Sequence, residues 1–163
     1  MHFTCAEARK NYGGVAILYN MEQLPSKLIE EVKREEDDES AGSADSEDND
    51  ETIICGIGQG TPEDEDLDKE GRVIAKVFAD FVLVSVYTPH SGVGDLKRLD
   101  YRVERWDRAF EAYIERLKES TGKPIVVCGD LNIIRHDQDI YNAKAKFKEG
   151  RPGLTERERT SFE

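Results

Sequence analysis

The sequence of 163 residues predicts an α/β fold built around one strand–helix–strand crossover. Residues 81–87 and 125–127 are rich in β-branched apolar side chains, as β-strands are. Between these runs, large apolar residues recur at helical spacing and form one stripe, made of Trp106, Phe110, Tyr113, Ile114 and Leu117. Because a connection of this length joins parallel strands, whose carboxyl ends share one edge of the sheet, we expect Tyr87 and Asp130 to lie together there.

The most informative stretch is residues 123–132, which read Lys-Pro-Ile-Val-Val-Cys-Gly-Asp-Leu-Asn. An apolar run without polar interruption is typical of a strand buried on both faces. Side chains alternate along a strand, so Asp130 and Asn132 are expected on the same side of its carboxyl end, where α/β sheets bind ligands. An acid and an amide beside Gly129 suit a metal-bound phosphate better than an apolar ligand. The alternative is a strand that simply ends in a polar turn.

The other elements follow from local patterns in the sequence. Residues 15–19 are predicted to form a strand after a glycine turn. Residues 72–78 alternate between polar and apolar side chains and are predicted to form a hairpin with residues 81–87, whose strand is the more central one. Gly122 and Pro124 are expected to end the long helix, and residues 155–159 to begin another.

The acidity of the chain is local. Residues 30–51 contain twelve acidic residues against two basic ones, a net charge of −10, while the whole chain carries −12. This segment is predicted to be a disordered acidic insert that folding does not need, because it has too few apolar residues to bury and its charges repel one another. A phosphorylated regulatory segment is the alternative to a plain solvated loop. Since the rest of the chain is nearly neutral, a nucleic-acid ligand is not excluded.

Three classes of protein are disfavoured by the sequence. Three cysteines, far apart and odd in number, give no disulfide framework, so a reducing intracellular compartment is expected. The N-terminus does not resemble a signal peptide, and no apolar stretch approaches the length of a membrane span. Residues 53–60 read as a strand entering a glycine-rich loop, but no Gly-Lys-Ser/Thr follows and residues 63–66 are acidic, which argues against a phosphate cradle.

Taken in order along the chain, several short motifs resemble the exonuclease III type of apurinic/apyrimidinic endonuclease, within the endonuclease/exonuclease/phosphatase superfamily. They are Asn11-Tyr12-Gly13-Gly14-Val15-Ala16-Ile17, Glu70-Gly71-Arg72-Val73, Val86-Tyr87-Thr88-Pro89, Leu99-Asp100-Tyr101-Arg102, Trp106-Asp107, Cys128-Gly129-Asp130-Leu131-Asn132, Asp139, Asn142-Ala143-Lys144 and Gly153-Leu154-Thr155-Glu156-Arg157-Glu158-Arg159. The resemblance implies a partial four-layer α/β sandwich, with two packed mixed β-sheets flanked by helices. Residues 1–163 would then form an incomplete domain that contains the 30–51 insert and lacks its N- and C-terminal portions.

The resemblance also implies a reaction and its participants. The family cuts the phosphodiester on the 5′ side of abasic sites in double-stranded DNA, uses Mg²⁺ (with Mn²⁺ as a substitute) and has an accompanying 3′-exonuclease or phosphodiesterase activity. By resemblance Tyr87, Asp130 and Asn132 are catalytic, and Asp130 and Asn132 hold the metal. The residues implied to contact the substrate phosphate or DNA are His90, Asn142 and Lys144. The protein is expected to act in the nucleus, or else in mitochondria, and as a monomer when complete.

Several features of the sequence depart from the family, and two of them bear most directly on activity. His90 stands where the family usually carries a phosphate-contacting asparagine, and an imidazole donates a hydrogen bond with a different reach. The family's first metal-binding strands and its closing Ser-Asp-His motif are not among residues 1–163, so these residues alone are expected not to cleave abasic sites. Two alternatives to the repair enzyme stay open: a catalytically inactive remnant that acts as a binding module, and another phosphodiesterase or phosphatase of the superfamily.

Overall fold

The computed structural model describes residues 2–4, 14–18, 53–58, 65–141 and 151–163. Several sequence predictions lie outside these residues and are not tested by the structure. They are the acidic insert at residues 30–51, the glycine turn at residues 11–13, and the two proposed DNA contacts Asn142 and Lys144.

The described residues form six strands, three α-helices and two short helical segments. The strands are β1 (His2–Thr4), β2 (Val15–Ile17), β3 (Ile53–Cys55), β4 (Val73–Val77), β5 (Val82–Tyr87) and β6 (Ile125–Asp130). The α-helices are α1 (Glu65–Asp68), α2 (Asp107–Thr121) and α3 (Glu156–Phe162). A π-helical segment, Tyr101–Trp106, leads directly into α2, and a 3₁₀ turn spans Asp137–Asp139.

Two β-sheets and the helices give an α/β architecture, as the sequence predicted. The larger sheet has the order β3-β4-β5-β6 and is mixed, because β3, β4 and β5 pair antiparallel whereas β5 and β6 pair parallel. The smaller sheet pairs β1 with β2 antiparallel and contacts β4 and β5. The predicted hairpin, the central position of β5 and the helical crossover to β6 are all confirmed.

The main core lies between the larger sheet and the long helix. Alternate residues of β4 and β5 face α2, because the register pairs Val73 with Val86 and Ala75 with Val84. The buried residues of this core are Ile57, Leu67, Val73, Ala75, Val82, Val84, Val86, Trp106, Tyr113 and Leu117. Gly122 ends α2 in the left-handed conformation (φ 64°), which glycine adopts without steric cost. The helix therefore stops where the sequence predicted.

The prediction that the strand at residues 125–130 is buried on both faces is wrong. In the structure β6 is the last strand of the larger sheet, and most of its residues are exposed. Val126 and Val127 point to opposite faces of the sheet, and their exposed fractions are 45% and 39%. The apolar run correctly predicts that residues 125–130 form a strand. The burial of that strand depends on the layers that pack against it, which the run does not reveal. None of the described residues covers β6 to the extent that β4 and β5 are covered.

The glycine-rich loop after β3 is occupied by a carboxylate of the chain itself. Asp68, at the end of α1, accepts hydrogen bonds from the backbone N–H of Ile57 at 2.6 Å and of Gly58 at 2.9 Å. A side chain on Gly56 would come within 2.5 Å of this carboxyl group, so the loop needs glycine at that position. The loop is therefore an internal docking site for α1, which agrees with the sequence argument against a phosphate cradle.

Candidate active site

The parallel pairing of β5 with β6 brings two of the predicted site residues together. The register places Tyr87 directly opposite Asp130 at the carboxyl ends of the strands. Immediately beyond, the backbone N–H of Thr88 donates to the carbonyl oxygen of Asp130 at 2.9 Å and extends the pairing. The two side chains thus leave the same edge of the sheet, as the crossover predicted.

Asn132 joins this edge through a turn, and not through strand alternation as predicted. β6 ends at Asp130, and Asn132 has a left-handed backbone conformation (φ 46°), which asparagine tolerates better than most residues. Its backbone N–H donates to Oδ1 of Asp130 at 2.9 Å, and its Nδ2 donates to the carbonyl oxygen of Thr88 at 2.7 Å. These bonds fix the amide beside the carboxylate of Asp130 and leave Oδ1 of Asn132 as its free acceptor.

Tyr87 lies over a buried arginine that the sequence reasoning did not single out as a site residue. The guanidinium carbon of Arg72 is 4.8 Å from the centroid of the Tyr87 ring, and its Nη1 donates to the Tyr87 carbonyl oxygen at 2.9 Å. Arg72 also donates from Nε to Oε2 of Glu70 at 2.7 Å, and Arg98 donates to the same oxygen at 2.9 Å. Arg72 therefore fixes both the backbone and the ring of Tyr87.

Glu70 is held in its charged form by this arrangement. Burial raises the pKa of Glu70, but hydrogen bonds from Arg98 and Arg72 outweigh burial and hold the pKa below its ordinary value. A charged Glu70 balances the buried cation beneath Tyr87. The sequence signalled both residues only as part of the motif Glu70-Gly71-Arg72-Val73, which does not reveal their contacts with Tyr87 and Arg98.

His90 is oriented by its own loop. The backbone N–H of Gly92 donates to Nδ1 of His90 at 3.1 Å. Because Nδ1 accepts this bond, the neutral ring carries its hydrogen on Nε2. His90 therefore presents an Nε2–H donor, the type of group that a phosphate-contacting asparagine would also supply.

A second buried arginine ties together the two loops that follow β5 and β6. Arg102 donates from Nη1 to the carbonyl oxygen of Pro89 at 2.8 Å and from Nη2 to that of Leu131 at 3.1 Å. Its Nε donates to Asp107 at 2.6 Å. Burial raises the pKa of Asp107, and the charge of Arg102 and a hydrogen bond from Ser161 offset this only in part. Arg102 thus sets the spacing of the loops, a role that its position in the sequence did not reveal.

The oxygen donors at this edge are of the kind that Mg²⁺ binds. Asp130 is exposed and offers a carboxylate, and Asn132 offers an amide oxygen. The described residues contain no group of three or more His, Cys, Asp or Glu side chains arranged to hold a metal. Mg²⁺ often takes only one or two carboxylates and fills its other positions with water and phosphate oxygens. The donor set therefore fits Mg²⁺ in kind, and Zn²⁺ poorly.

Comparison with known proteins identifies the class to which this fold and site belong. Residues 2–162 match the model of the Endonuclease/Exonuclease/phosphatase family, and the chain belongs to that family. No helix among the residues that the structure describes is long and apolar enough to cross a membrane.

Within that class, the chain is similar to enzymes of DNA metabolism. It is 45% identical over 95 residues to a DNA-(apurinic or apyrimidinic site) endonuclease of Dictyostelium discoideum, covering 58% of this chain and 25% of that protein. It is 44% identical over 110 residues to the DNA repair nuclease APEX1 of Danio rerio, covering 68% of this chain and 32% of that protein. A 3′-5′ exonuclease (NExo) from Neisseria meningitidis has a similar structure, with a TM-score of 0.56 and 26% identity over 69% of this chain and 40% of that one.

The chain thus spans a quarter to a third of the length of these two curated relatives.

The contacts of Arg72 lead to a prediction about stability. Replacing Arg72 with methionine keeps the length of the side chain but removes the bonds to Tyr87 and Glu70, and we expect a loss of about 2 kcal/mol of unfolding free energy. Urea unfolding of the full-length gene product measures this loss. Lys97→Met is the control, because the exposed Lys97–Asp95 pair should contribute less than about 0.5 kcal/mol. Equal losses in the two variants would show that Arg72 does not support Tyr87.

Proposed function

We propose that this chain carries part of the active site of a divalent-metal-dependent DNA repair endonuclease, which hydrolyses the phosphodiester on the 5′ side of abasic sites. The observation that carries the proposal is the register that sets Tyr87 opposite Asp130, with the amide of Asn132 held in the same turn. Membership in the Endonuclease/Exonuclease/phosphatase family and the names of the two curated relatives support it.

In this proposal Asp130 orients the attacking water and accepts its proton. A carboxylate alone is too weak a base to take a proton from water efficiently at neutral pH. A divalent cation held by Asp130 and Asn132 would acidify the water and neutralise charge on the phosphate. The exposure of Asp130 at the end of an edge strand leaves room for both water and a DNA backbone.

Neutral hydrogen-bond donors complete the proposed contacts to the substrate. The phenol of Tyr87 and Nε2–H of His90 would donate to the phosphate oxygens, whose charge grows at the transition state. The positive charge of Arg72 against the Tyr87 ring polarises the phenol, which makes its O–H a better hydrogen-bond donor to the phosphate. Asn142 and Lys144, which lie outside the described residues, are proposed to contact the substrate phosphate or DNA.

The names of the two curated relatives suggest the substrate, and the family resemblance suggests the setting. The proposed substrate is double-stranded DNA with an abasic site, and the complete protein is proposed to act on it as a monomer in the nucleus, or else in mitochondria. The divalent cation is Mg²⁺, with Mn²⁺ as a substitute, because the site offers oxygen ligands. An additional 3′-exonuclease or phosphodiesterase activity is proposed, since it uses the same water and the same phosphate contacts.

The proposal is tested with end-labelled duplex DNA that contains one abasic-site analogue. We expect the full-length gene product to cut on the 5′ side of the analogue in the presence of Mg²⁺. Cleavage should be abolished by EDTA and restored by added Mn²⁺. An undamaged duplex of the same sequence is the control. Tight binding without incision would instead identify a binding module, and removal of a terminal phosphate without incision would identify a phosphatase of the same family.

A further inference from the structure

Glu158 is a fully buried acid that holds four hydrogen-bond donors. One carboxylate oxygen accepts from the hydroxyl of Ser91 and from the backbone N–H of Gly153, the latter at 2.9 Å. The other oxygen accepts from Thr155, at 2.7 Å from the hydroxyl and 3.1 Å from the backbone N–H. The exposed fraction of Glu158 is 0%. Because both oxygens accept two hydrogen bonds each, the carboxylate of Glu158 is held in a fixed position.

These donors keep Glu158 charged in spite of its burial. Burial raises the pKa of Glu158, but hydrogen bonds from Ser91, Gly153 and Thr155 together outweigh burial and hold the pKa below its ordinary value. Hydrogen bonds to a charged acceptor are stronger than bonds between neutral groups. The contact with Ser91 is therefore a firm attachment between two segments that are 67 residues apart in the sequence.

The contacts of Glu158 exceed what capping of α3 requires. A capping box needs only the reciprocal bonds between Thr155 and Glu158, and these are present. Capping acids at helix ends on the surface meet water, whereas Glu158 is covered by the loop that follows β5. The hydrogen bond between Glu158 and Ser91 satisfies no backbone group of α3. It therefore stabilises the loop that follows β5 and not the helix end.

Ser91 directly follows His90, and the loop is fixed on both sides of that histidine. On one side Arg102 binds the carbonyl oxygen of Pro89 at 2.8 Å. On the other side Glu158 binds the hydroxyl of Ser91, which is itself only 1% exposed. The backbone on both sides of His90 is therefore held by two buried charges that come from different helical segments.

Glu158 is also linked, through Gly153, to the loop that carries Asn132. The Gly153 N–H that it accepts belongs to a residue packed on that loop, because a side chain on Gly153 would lie 3.0 Å from the carbonyl oxygen of Asn132. The backbone N–H of Ile134 donates to the carbonyl oxygen of Gly153 at 2.8 Å. One carboxylate thus contacts, through Ser91 and Gly153, both halves of the candidate site.

We propose that Glu158 is a positioning residue, which holds Ser91 so that Nε2–H of His90 meets the substrate phosphate, in register with Asp130 and Asn132. The inference rests on the proposed function for its catalytic consequence. Its structural consequence, a single fixed orientation of His90, does not depend on that function.

The test removes the hydrogen bond between Ser91 and Glu158 without removing the N-terminal cap of α3. Ser91→Ala leaves Thr155 and Glu158 paired, whereas Thr155→Ala weakens the cap and leaves Ser91 attached. With saturating abasic duplex, we expect Ser91→Ala to lower the single-turnover rate about tenfold, since small misplacements of a contacting group are costly. Thr155→Ala should lower the melting temperature and leave the rate within about twofold of the parent.

A double-variant comparison shows whether the effect passes through His90. If Glu158 acts by positioning this ring, Ser91→Ala should cause no further loss of rate in a protein that already carries His90→Ala. Equal losses in the two backgrounds would overturn the inference, and so would a rate loss that merely follows the melting temperature in all variants. A parent that does not cut abasic DNA at all would overturn the proposed function instead.

The orientation of His90 is measured independently of cleavage. The Cε1–H resonance of His90, assigned by its disappearance in His90→Ala, should be single and sharp in the parent and in Thr155→Ala. In Ser91→Ala and Glu158→Gln it should shift and broaden, because the ring then samples several orientations. An unchanged resonance in both of those variants would overturn the inference, whatever the cleavage assay shows.

Discussion

Replacing Gly129 with alanine is expected to cause a severe loss of stability, because the added methyl group would collide with the backbone of the neighbouring strand. The backbone of Gly129 has φ +135°, and an added Cβ would lie 1.9 Å from the carbonyl oxygen of Val86. Val86 is the direct partner of Gly129 across the parallel pair, so the clash would force β6 away from β5. We expect about 3 to 5 kcal/mol of lost unfolding free energy, as for other severe backbone conflicts.

Urea unfolding of the full-length gene product measures this loss, and Gly94→Ala is the matched control. Gly94 also has a positive φ, +87°, but an added Cβ meets nothing within 4 Å. Its replacement therefore reports the conformational strain alone, which should be about 1 kcal/mol. Similar losses at both positions would show that the close approach of β5 and β6 is not as the structure has it. The activity of Gly129→Ala should fall as well, because Asp130 is the next residue.

The pairing that builds the site could be predicted because it follows from local patterns and one topological rule. The apolar runs mark β5 and β6, and the helical stripe between them requires a crossover, so the strands are parallel. That rule places Tyr87 and Asp130 at one edge without any knowledge of side-chain contacts. The burial of β6 could not be predicted in the same way, because apolar composition does not tell a central strand from an edge strand.

The buried charges around the site escaped prediction for a different reason. Arg72 and Arg102 are buried because partners distant in sequence satisfy them, such as the carbonyl oxygens of Tyr87 and Leu131. Nothing in the residues flanking either arginine indicates those partners. Glu158 had a local signal, the Thr-x-x-Glu pattern of a capping box, but this pattern accounts only for its bonds to Thr155. Its bond to Ser91 is visible only in the folded chain.

Changing Asp130 to asparagine is expected to abolish most cleavage and to leave the fold intact. Asparagine keeps an oxygen that can accept the 2.9 Å bond from the backbone N–H of Asn132, so the turn should persist at a cost of about 1 kcal/mol. It removes the negative charge and the proton acceptor. If Asp130 handles the attacking water, single-turnover cleavage of abasic duplex DNA should fall roughly 100-fold or more.

Binding to abasic DNA should survive this change, because contacts of basic groups with phosphates dominate affinity. Asp80→Asn is the control, because Asp80 is exposed in the turn that joins β4 to β5, at the end of β5 opposite to Tyr87. A thermal melt of each variant separates loss of chemistry from loss of folded protein. If Asp130→Asn melts normally and cuts within a few-fold of the parent, then Asp130 only caps the end of β6, and the water must be activated by another group.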